Sequence, residues 1–472
     1  MKKFSLFCST ILAGFLLIQG VYAQEPGKDF FAGRRIELGK RLENSALLLA
    51  SGISFPMRNS DMPFKQEDNF YYLTGYKNPD VLALFSNIDS KKFILFIKKR
   101  AFRTMSGTPQ RDFIKEAIAE SGADTAYYTE DFEKVITRLL PSFNNLFARR
   151  TDIDLYNTLS KIIEKSGGQK KINDPVQILS EMRMIKTKEE VGYLRKAAEI
   201  TTLAQIEAMK AAKPGLNERF IEAVIDFVYK TNGASGIGFP SILGSGANSL
   251  VLHYQDNNQE MKNGTVMVMD IGAAYNGYSA DITRTIPING KFTNEQKDIY
   301  NAVLRAQKTA AKVFGPGTLP RTIEDTVATM LRAELYKLGL VTDPNTKWQH
   351  RIWYTHGCSH SIGLDVHDAT PSSYQKTGMK PNMVFTLEPG LYISEASLEN
   401  NRMFRYPNVS DAELKEFIEK VRPIAKKYHN IGVRIEDDIL ITEKGNEIIT
   451  AGCPKEIAEI EKIMAQKSRF VD

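Results

Sequence analysis

The chain has only six histidines. Three of them, His356, His360 and His367, fall within twelve residues, in His356-Gly357-Cys358-Ser359-His360-Ser361-Ile362-Gly363-Leu364-Asp365-Val366-His367. Imidazoles gathered this closely point to a bound metal. A four-residue spacing would put His356 and His360 on one face of a helix, but Gly357 and Gly363 argue against a helix there. The motif is therefore placed on a loop or strand end. No His-Glu-x-x-His helix is present, so a one-zinc protease has no support.

Acids in strand-like runs supply the other half of a site. Within residues 265–285, Asn276-Gly277 is a strong signal for a two-residue hairpin. Such a loop pairs Asp270 with Thr283 and Gly272 with Asp281. Asp270 and Asp281 then lie diagonally on one face, about 7–8 Å apart between backbones, near enough for both carboxylates to reach one cation. The plainer alternative is two solvated acids at a hairpin end. Two further carboxylates end apolar runs: Glu388 after Met383-Val384-Phe385-Thr386-Leu387, and Glu436 after Ile431-Gly432-Val433-Arg434-Ile435. A buried acid needs a partner. For Glu436 that partner is either a cation or Arg434, two residues earlier and so on the same strand face. Four carboxylates and one imidazole form a hard, oxygen-rich set that suits manganese, with cobalt or zinc as alternatives. The set fits two ions better than one.

Elements must bring these groups together. A chain of 472 residues is long enough for two domains with separate cores. From about residue 29 to 168, strand-like runs (46–50, 92–97) alternate with helical ones (111–120, 131–140), the pattern of an α/β domain. In Asp68-Asn69-Phe70-Tyr71-Tyr72-Leu73-Thr74-Gly75 the aromatics are read as core packing. Asn173-Asp174-Pro175 interrupts the pattern, which sets a domain boundary near residue 175. Helices are expected over 188–212 and 217–232, separated by the turn signal Pro214-Gly215. Beyond Gly233 come strands and glycine-rich loops. Gly244-Ser245-Gly246 lacks the lysine of a phosphate-binding loop and is read as a turn. Residues 455–467 look like a closing helix.

Composition excludes some classes. With 42% hydrophobic and 25% charged residues the chain sits near the globular average. Residues 1–23 read as an export signal: Lys2 and Lys3, an apolar run from Phe4 to Ile18, and small residues around Val21-Tyr22-Ala23. Cleavage after Ala23 is expected, with an uncleaved anchor as the alternative; no later stretch is apolar enough to span a membrane. Loss of Lys2 and Lys3, with no acid, takes the formal charge from +6 to +4, too mild to imply nucleic acid. Cys8 leaves with the leader, and whether Cys358 and Cys453 pair is open from sequence.

In order and in motif, Asp270, Asp281, His360, Glu388 and Glu436 resemble the ligands of the pita-bread metallopeptidases, which include aminopeptidase P, prolidase, methionine aminopeptidase and the metal-free creatinases. Residues 29–170 also look like the N-terminal domain of the aminopeptidase P and prolidase branch. His356-Gly357-Cys358-Ser359-His360 is similar to the aminopeptidase P form, and Phe55-Pro56-Met57-Arg58 followed by the aromatic cluster at 68–75 points the same way. The resemblance implies an α/β N-terminal domain over 24–175, an α+β pita-bread catalytic domain over 176–454 and a helical tail over 455–472. Residues 396–430 look longer than the family's usual connection and carry no readable motif.

The implied activity is hydrolysis of the Xaa-Pro bond, releasing the first residue of peptides with proline second. A dipeptide-only prolidase is the rival, and an inactive peptide-binding protein on the same fold is a further one. By resemblance, Asp270 would hold one divalent ion, His360 and Glu388 the other, and Asp281 and Glu436 both. Two ions roughly 3.5–4 Å apart acidify a water and polarise a carbonyl. Glu388 would carry a proton to the leaving nitrogen. His253 and His367 match positions that bind the substrate carbonyl and the developing oxyanion, and His356 and Arg434 match positions lining the proline pocket. For each histidine a purely structural role is the alternative. A thiol hydrolase using Cys358 and His360 is a remote alternative, since neighbours in one loop seldom meet the required geometry. The implied partners are peptides and, as in many relatives, further copies of the chain. The leader implies a periplasmic or extracellular place of work.

Overall fold

The computed structural model describes residues 26–52, 64, 66–88, 92–99, 112–399 and 409–471. The leader at 1–23, the Phe55-Pro56-Met57-Arg58 motif and part of the 396–430 insertion lie outside them.

The N-terminal region is built on a mixed sheet of six strands among the described residues. Their order is Thr125–Tyr128, Phe93–Ile97, Val81–Ser86, Ala46–Ala50, Leu146–Phe147, Ile172–Asn173. Ala46–Ala50 shows why the run reads as uninterrupted apolar sequence. Leu47 and Leu49 enter one core with Phe70, Tyr72 and Leu179, while Ala46 and Leu48 enter the other with Ile136 and Leu159. Successive side chains point to opposite faces and helices cover both, so neither face can be polar. The aromatic cluster forms a helix, Asp68–Thr74, capped by the Glu67 side chain at one end and by Gly75 at φ 65° at the other. Phe70, Tyr71 and Tyr72 are buried, as core packing requires.

Asn173 ends the last strand, and a helix, Val176–Met184, follows. Sequence reading missed it because Pro175 looked like a break, yet a proline beside the first turn is compatible with a helix. The next helix, Lys188–Ala211, starts on a reciprocal cap between Thr187 and Glu190, and Glu218–Thr231 follows the Pro214-Gly215 turn. Both match the expected spans within two residues. A single large core joins these helices to the strands of the catalytic region.

Two bent antiparallel ribbons dominate that region. In the first, Val266–Ile271 pairs with Ile282–Pro287, and the pair continues into a different sheet as Ala273–Tyr275 with Tyr278–Ser279. The ribbon closes at Asn276-Gly277, both at positive φ (51° and 86°), as a tight mirror-image turn demands. In the second, Val384–Leu387 pairs with Asp437–Thr442, then Gly390–Ile393 with Ile431–Arg434, again in separate sheets.

The insertion is not featureless. It carries a helix, Asp411–Lys427, whose Phe417, Val421 and Ala425 pack into the main core at four-residue spacing. That i, i+4 stripe was the signal to find. The closing helix is Ile457–Met464.

Candidate metal centre

Every carboxylate of the predicted set sits at or beside the place where a ribbon changes sheet. Asp270 pairs with Thr283, the register that the two-residue turn predicts. Asp281 falls in the break that follows. In the second ribbon the pairing keeps one register on both sides of its break, Leu387 with Asp437 and Gly390 with Arg434. That register sets Glu388 opposite Glu436 across the gap. At a break the backbone loses ladder partners, and its amides must find others. Here each ribbon serves the other: the Asp281 amide donates to Asp438 Oδ2 (3.1 Å), and the Glu436 amide donates to the Thr283 carbonyl (3.0 Å).

The histidine motif is a loop, as its glycines predict. It is pinned to the second ribbon by the Glu388 amide donating to the Cys358 carbonyl (2.8 Å) and the Thr386 amide donating to the His360 carbonyl (2.9 Å). His360 Nδ1 lies 3.1 Å from the Ser361 carbonyl. A carbonyl can only accept, so Nδ1 carries the proton and Nε2 presents its lone pair. That Nε2 lies 3.6 Å from Asp281 Oδ2, 3.6 Å from Glu388 Oε1 and 4.0 Å from Glu436 Oε1. Donor atoms of Asp281, His360 and Glu436 all fall within 4.8 Å of one another.

Asp270 is held differently. Arg434 Nη2 donates to its Oδ2 at 2.6 Å, while Nη1 donates to the Tyr392 hydroxyl and Nε to the Thr283 hydroxyl. Of the two partners left open for Glu436 by sequence, Arg434 is thus engaged with Asp270; the carboxylate of Glu436 accepts instead from the Thr283 hydroxyl at 2.7 Å. His356 completes a chain on this side. Its Nδ1 faces the Gly357 carbonyl (2.7 Å), so its Nε2 accepts from the Tyr392 hydroxyl (3.0 Å), and Nδ1 also lies 3.7 Å from Glu388. His253 and His367 are exposed, the His367 ring 4.2 Å from that of His360.

The electrostatics call for cations. Burial, reinforced by Glu436 and Asp270, pushes the Asp281 carboxyl well above its ordinary range, and burial with Glu436 does the same to Glu388. Burial and then Asp270 push Glu436 up to about 7. His360 is pulled down to about 4 by burial and by His367 beside it. Asp270 Oδ1, Asp281 Oδ1 and Glu436 Oε1 are buried with no hydrogen-bond partner. Orphaned acceptors are costly in a dry site, and a positive ion is the partner that suits several at once. The residues therefore fit divalent metal. Cys358 does not fit a nucleophile: it is buried and burial drives its thiol well up, so little thiolate exists near neutral pH. Cys358 and Cys453 are both free.

Known proteins share this architecture. Residues 192–443 match the model of metallopeptidase family M24, and residues 31–147 match the aminopeptidase P N-terminal domain. The chain is 34% identical over 452 residues to a Xaa-Pro aminopeptidase of Haemophilus influenzae, covering 94% of this chain and 99% of that one. It is 32% identical over 460 residues to the Xaa-Pro aminopeptidase of Escherichia coli, covering 93% and 98%. Zinc-substituted Escherichia coli aminopeptidase P in complex with product superposes with a TM-score of 0.80 at 31% identity over 93% of this chain and 98% of that one. Proline aminopeptidase P II from Yersinia pestis does so at 0.81 and 30% over 93% and 100%. Similarity of this extent across both regions leaves one conclusion: the chain belongs to metallopeptidase family M24, in the aminopeptidase P branch with its pita-bread catalytic fold.

Proposed function

We propose that this protein is a metal-dependent Xaa-Pro aminopeptidase that removes the first residue from peptides with proline in second place. The observation that carries the reading is the meeting of Asp281, His360, Glu388 and Glu436 at two ribbon breaks, with buried carboxylate oxygens left unpartnered. Asp270, Asp281, His360, Glu388 and Glu436 would hold two divalent ions, manganese by the hardness of the donors. Bound there, the ions would supply Lewis-acid polarisation of the scissile carbonyl and acidify a water.

The remaining steps belong to side chains. Glu388 is the most open of the acids around His360, 18% exposed against 7% for Asp281 and 2% for Glu436. It would pass a proton to the prolyl nitrogen as the bond breaks. His253 and His367 would donate to the substrate carbonyl and to the oxygen that gains charge. Arg434, Tyr392 and His356 form a connected wall beside Asp270. That wall would receive the proline ring, whose nitrogen has no proton to offer a general peptidase. By the leader-like residues 1–23 the protein acts outside the cytoplasm, with peptides as its partners, and mature material should begin at Gln24. No helix among the described residues is long and apolar enough to cross a membrane.

The test is hydrolysis of Arg-Pro-Pro, Ala-Pro and Ala-Ala-Ala by protein stripped of metal and then given manganese. Manganese-dependent release of arginine from Arg-Pro-Pro is the expected result. Cutting of Ala-Pro alone would make the protein a prolidase, and no cutting with any divalent ion would leave a peptide-binding protein.

A further inference from the structure

Next in the chain to the exposed His367 stands one of the most enclosed acids of the molecule. The Asp368 side chain is 2% exposed and lies between two cations almost as buried, Arg183 at 5% and Lys186 at 1%. Lys186 Nζ donates to Asp368 Oδ2 at 3.1 Å, and Arg183 Nη2 donates to Oδ1. These two charges hold the Asp368 carboxyl below its ordinary value in spite of burial. Neither cation comes from the catalytic sheets. Arg183 is in the helix Val176–Met184 and Lys186 lies just beyond its end. Arg183 reaches further, donating through Nη1 to Asn69 Oδ1 at 2.9 Å, on the N-terminal helix Asp68–Thr74.

The backbone of Asp368 is bound as firmly. Its amide donates to the Ser361 carbonyl (2.9 Å), and its carbonyl accepts from the Ser361 hydroxyl (2.6 Å). The loop from His360 to His367 is thereby closed on itself, with a catalytic-site imidazole at each end. Space around the carboxylate is full: a Cβ at Gly363 would stand 2.1 Å from Asp368 Oδ2. A buried charge held by two others is a poor way to gain stability, since an apolar packing of the same volume commonly does as well. It is a good way to fix a position.

We propose that Asp368 is a positioning residue for His367, clamped by Arg183 and Lys186 so that the histidine loop takes its place from the junction helix and, through Arg183 and Asn69, from the N-terminal domain. Asp368 touches no substrate; it acts through the imidazole beside it. The proposal rests on the reading of His367 as a group that contacts the substrate.

The test compares Asp368→Asn, Asn69→Ala, His367→Ala and the doubles of each with His367→Ala. Each is loaded with manganese and assayed on Arg-Pro-Pro, with metal content and thermal unfolding measured alongside. Displacement of about 1 Å costs on the order of 100-fold in rate, so Asp368→Asn should lower kcat by about tenfold or more, with KM within about twofold and metal content unchanged. Asn69→Ala, one bond further out, should lose less. Each double should be no slower than His367→Ala alone, because residues acting as one unit are not additive. Losses that multiply, or that track loss of metal, would overturn the proposal. If Asp368→Asn fails to fold, Asn69→Ala carries the comparison. A second readout does not need activity: with ring-labelled histidine in the metal-free protein, the NMR signal that His367→Ala removes should shift or split in Asp368→Asn. A signal that stays in place would sink the proposal even in a protein that cuts no peptide, whereas a shifted signal without peptide cutting would count only against the proposed activity.

Discussion

The two ribbons solve one problem by different means. Each must carry acids into a largely buried centre and turn from one sheet into another beside them. The first is local: its strands are joined by Asn276-Gly277 and its acids, Asp270 and Asp281, sit diagonally. The second is long-range: its strands are joined through the helix Asp411–Lys427, and its acids, Glu388 and Glu436, sit face to face. Neither break is self-sufficient, since Asp438 of the second caps the Asp281 amide and Thr283 of the first caps the Glu436 amide. The lesson is that the centre is an interface between ribbons, so its stability and its chemistry share residues.

Arg284 makes that concrete. Fully buried, it donates to the Thr283 and Glu436 carbonyls and to Asp437 Oδ1, joining both ribbons at one guanidinium. Asp437 also receives Lys455 and Gln307.

The comparison can be broken most severely by exchanging one acid from each ribbon. Asp281→Asn and Glu436→Gln should each lower kcat/KM for Arg-Pro-Pro by about 10³-fold or more, given the several kcal/mol that ions at such a site supply. Metal analysis should show both variants depleted. Depletion in one alone would mean that the ribbons do not share their ligands. Next in size, Arg284→Met should cost about 3 kcal/mol or more in urea unfolding, because it removes one of the two cations at the buried Asp437 and the donor of several carbonyls. A loss below about 1 kcal/mol would say that the ribbons are held together elsewhere. The smallest effect should come from Gly277→Val, about 1–3 kcal/mol for a β-branched residue at φ 86°. It strains the turn of the first ribbon and meets Leu364 of the histidine loop and Tyr71, 3.2 and 3.3 Å from its Cβ, and manganese titration should find the folded fraction still competent to load.

Much of the first ribbon was legible in the sequence, and less of the second. Asn276-Gly277 demands a particular turn, the turn fixes the register, and the register puts Asp270 opposite Thr283. The reciprocal cap of Thr187 and Glu190 likewise announces its helix at the residue where it starts. For Glu388 and Glu436 the run of apolar residues showed strands, but strands joined across a long connection give no register. Their face-to-face placement is a tertiary fact. The pairing of Arg434 with Asp270 was hidden for the same reason: partners 164 positions apart leave no local trace. Asp368 was printed beside the histidine motif, yet nothing near it in sequence says that Arg183 and Lys186 will bury it.

A donor within a strand is bound to the pleat, so moving it by one residue turns it to the other face. Asp281, Glu388 and Glu436 stand outside the ladders, where no pleat dictates which way a side chain points. Those three positions can change identity while both sheets keep their pairing, whereas Asp270 cannot shift without the strand that carries it. The frame thus leaves its chemistry open to substitution one donor at a time, and descent from a common ancestor could refit the centre for other ions or other bonds without rebuilding the fold.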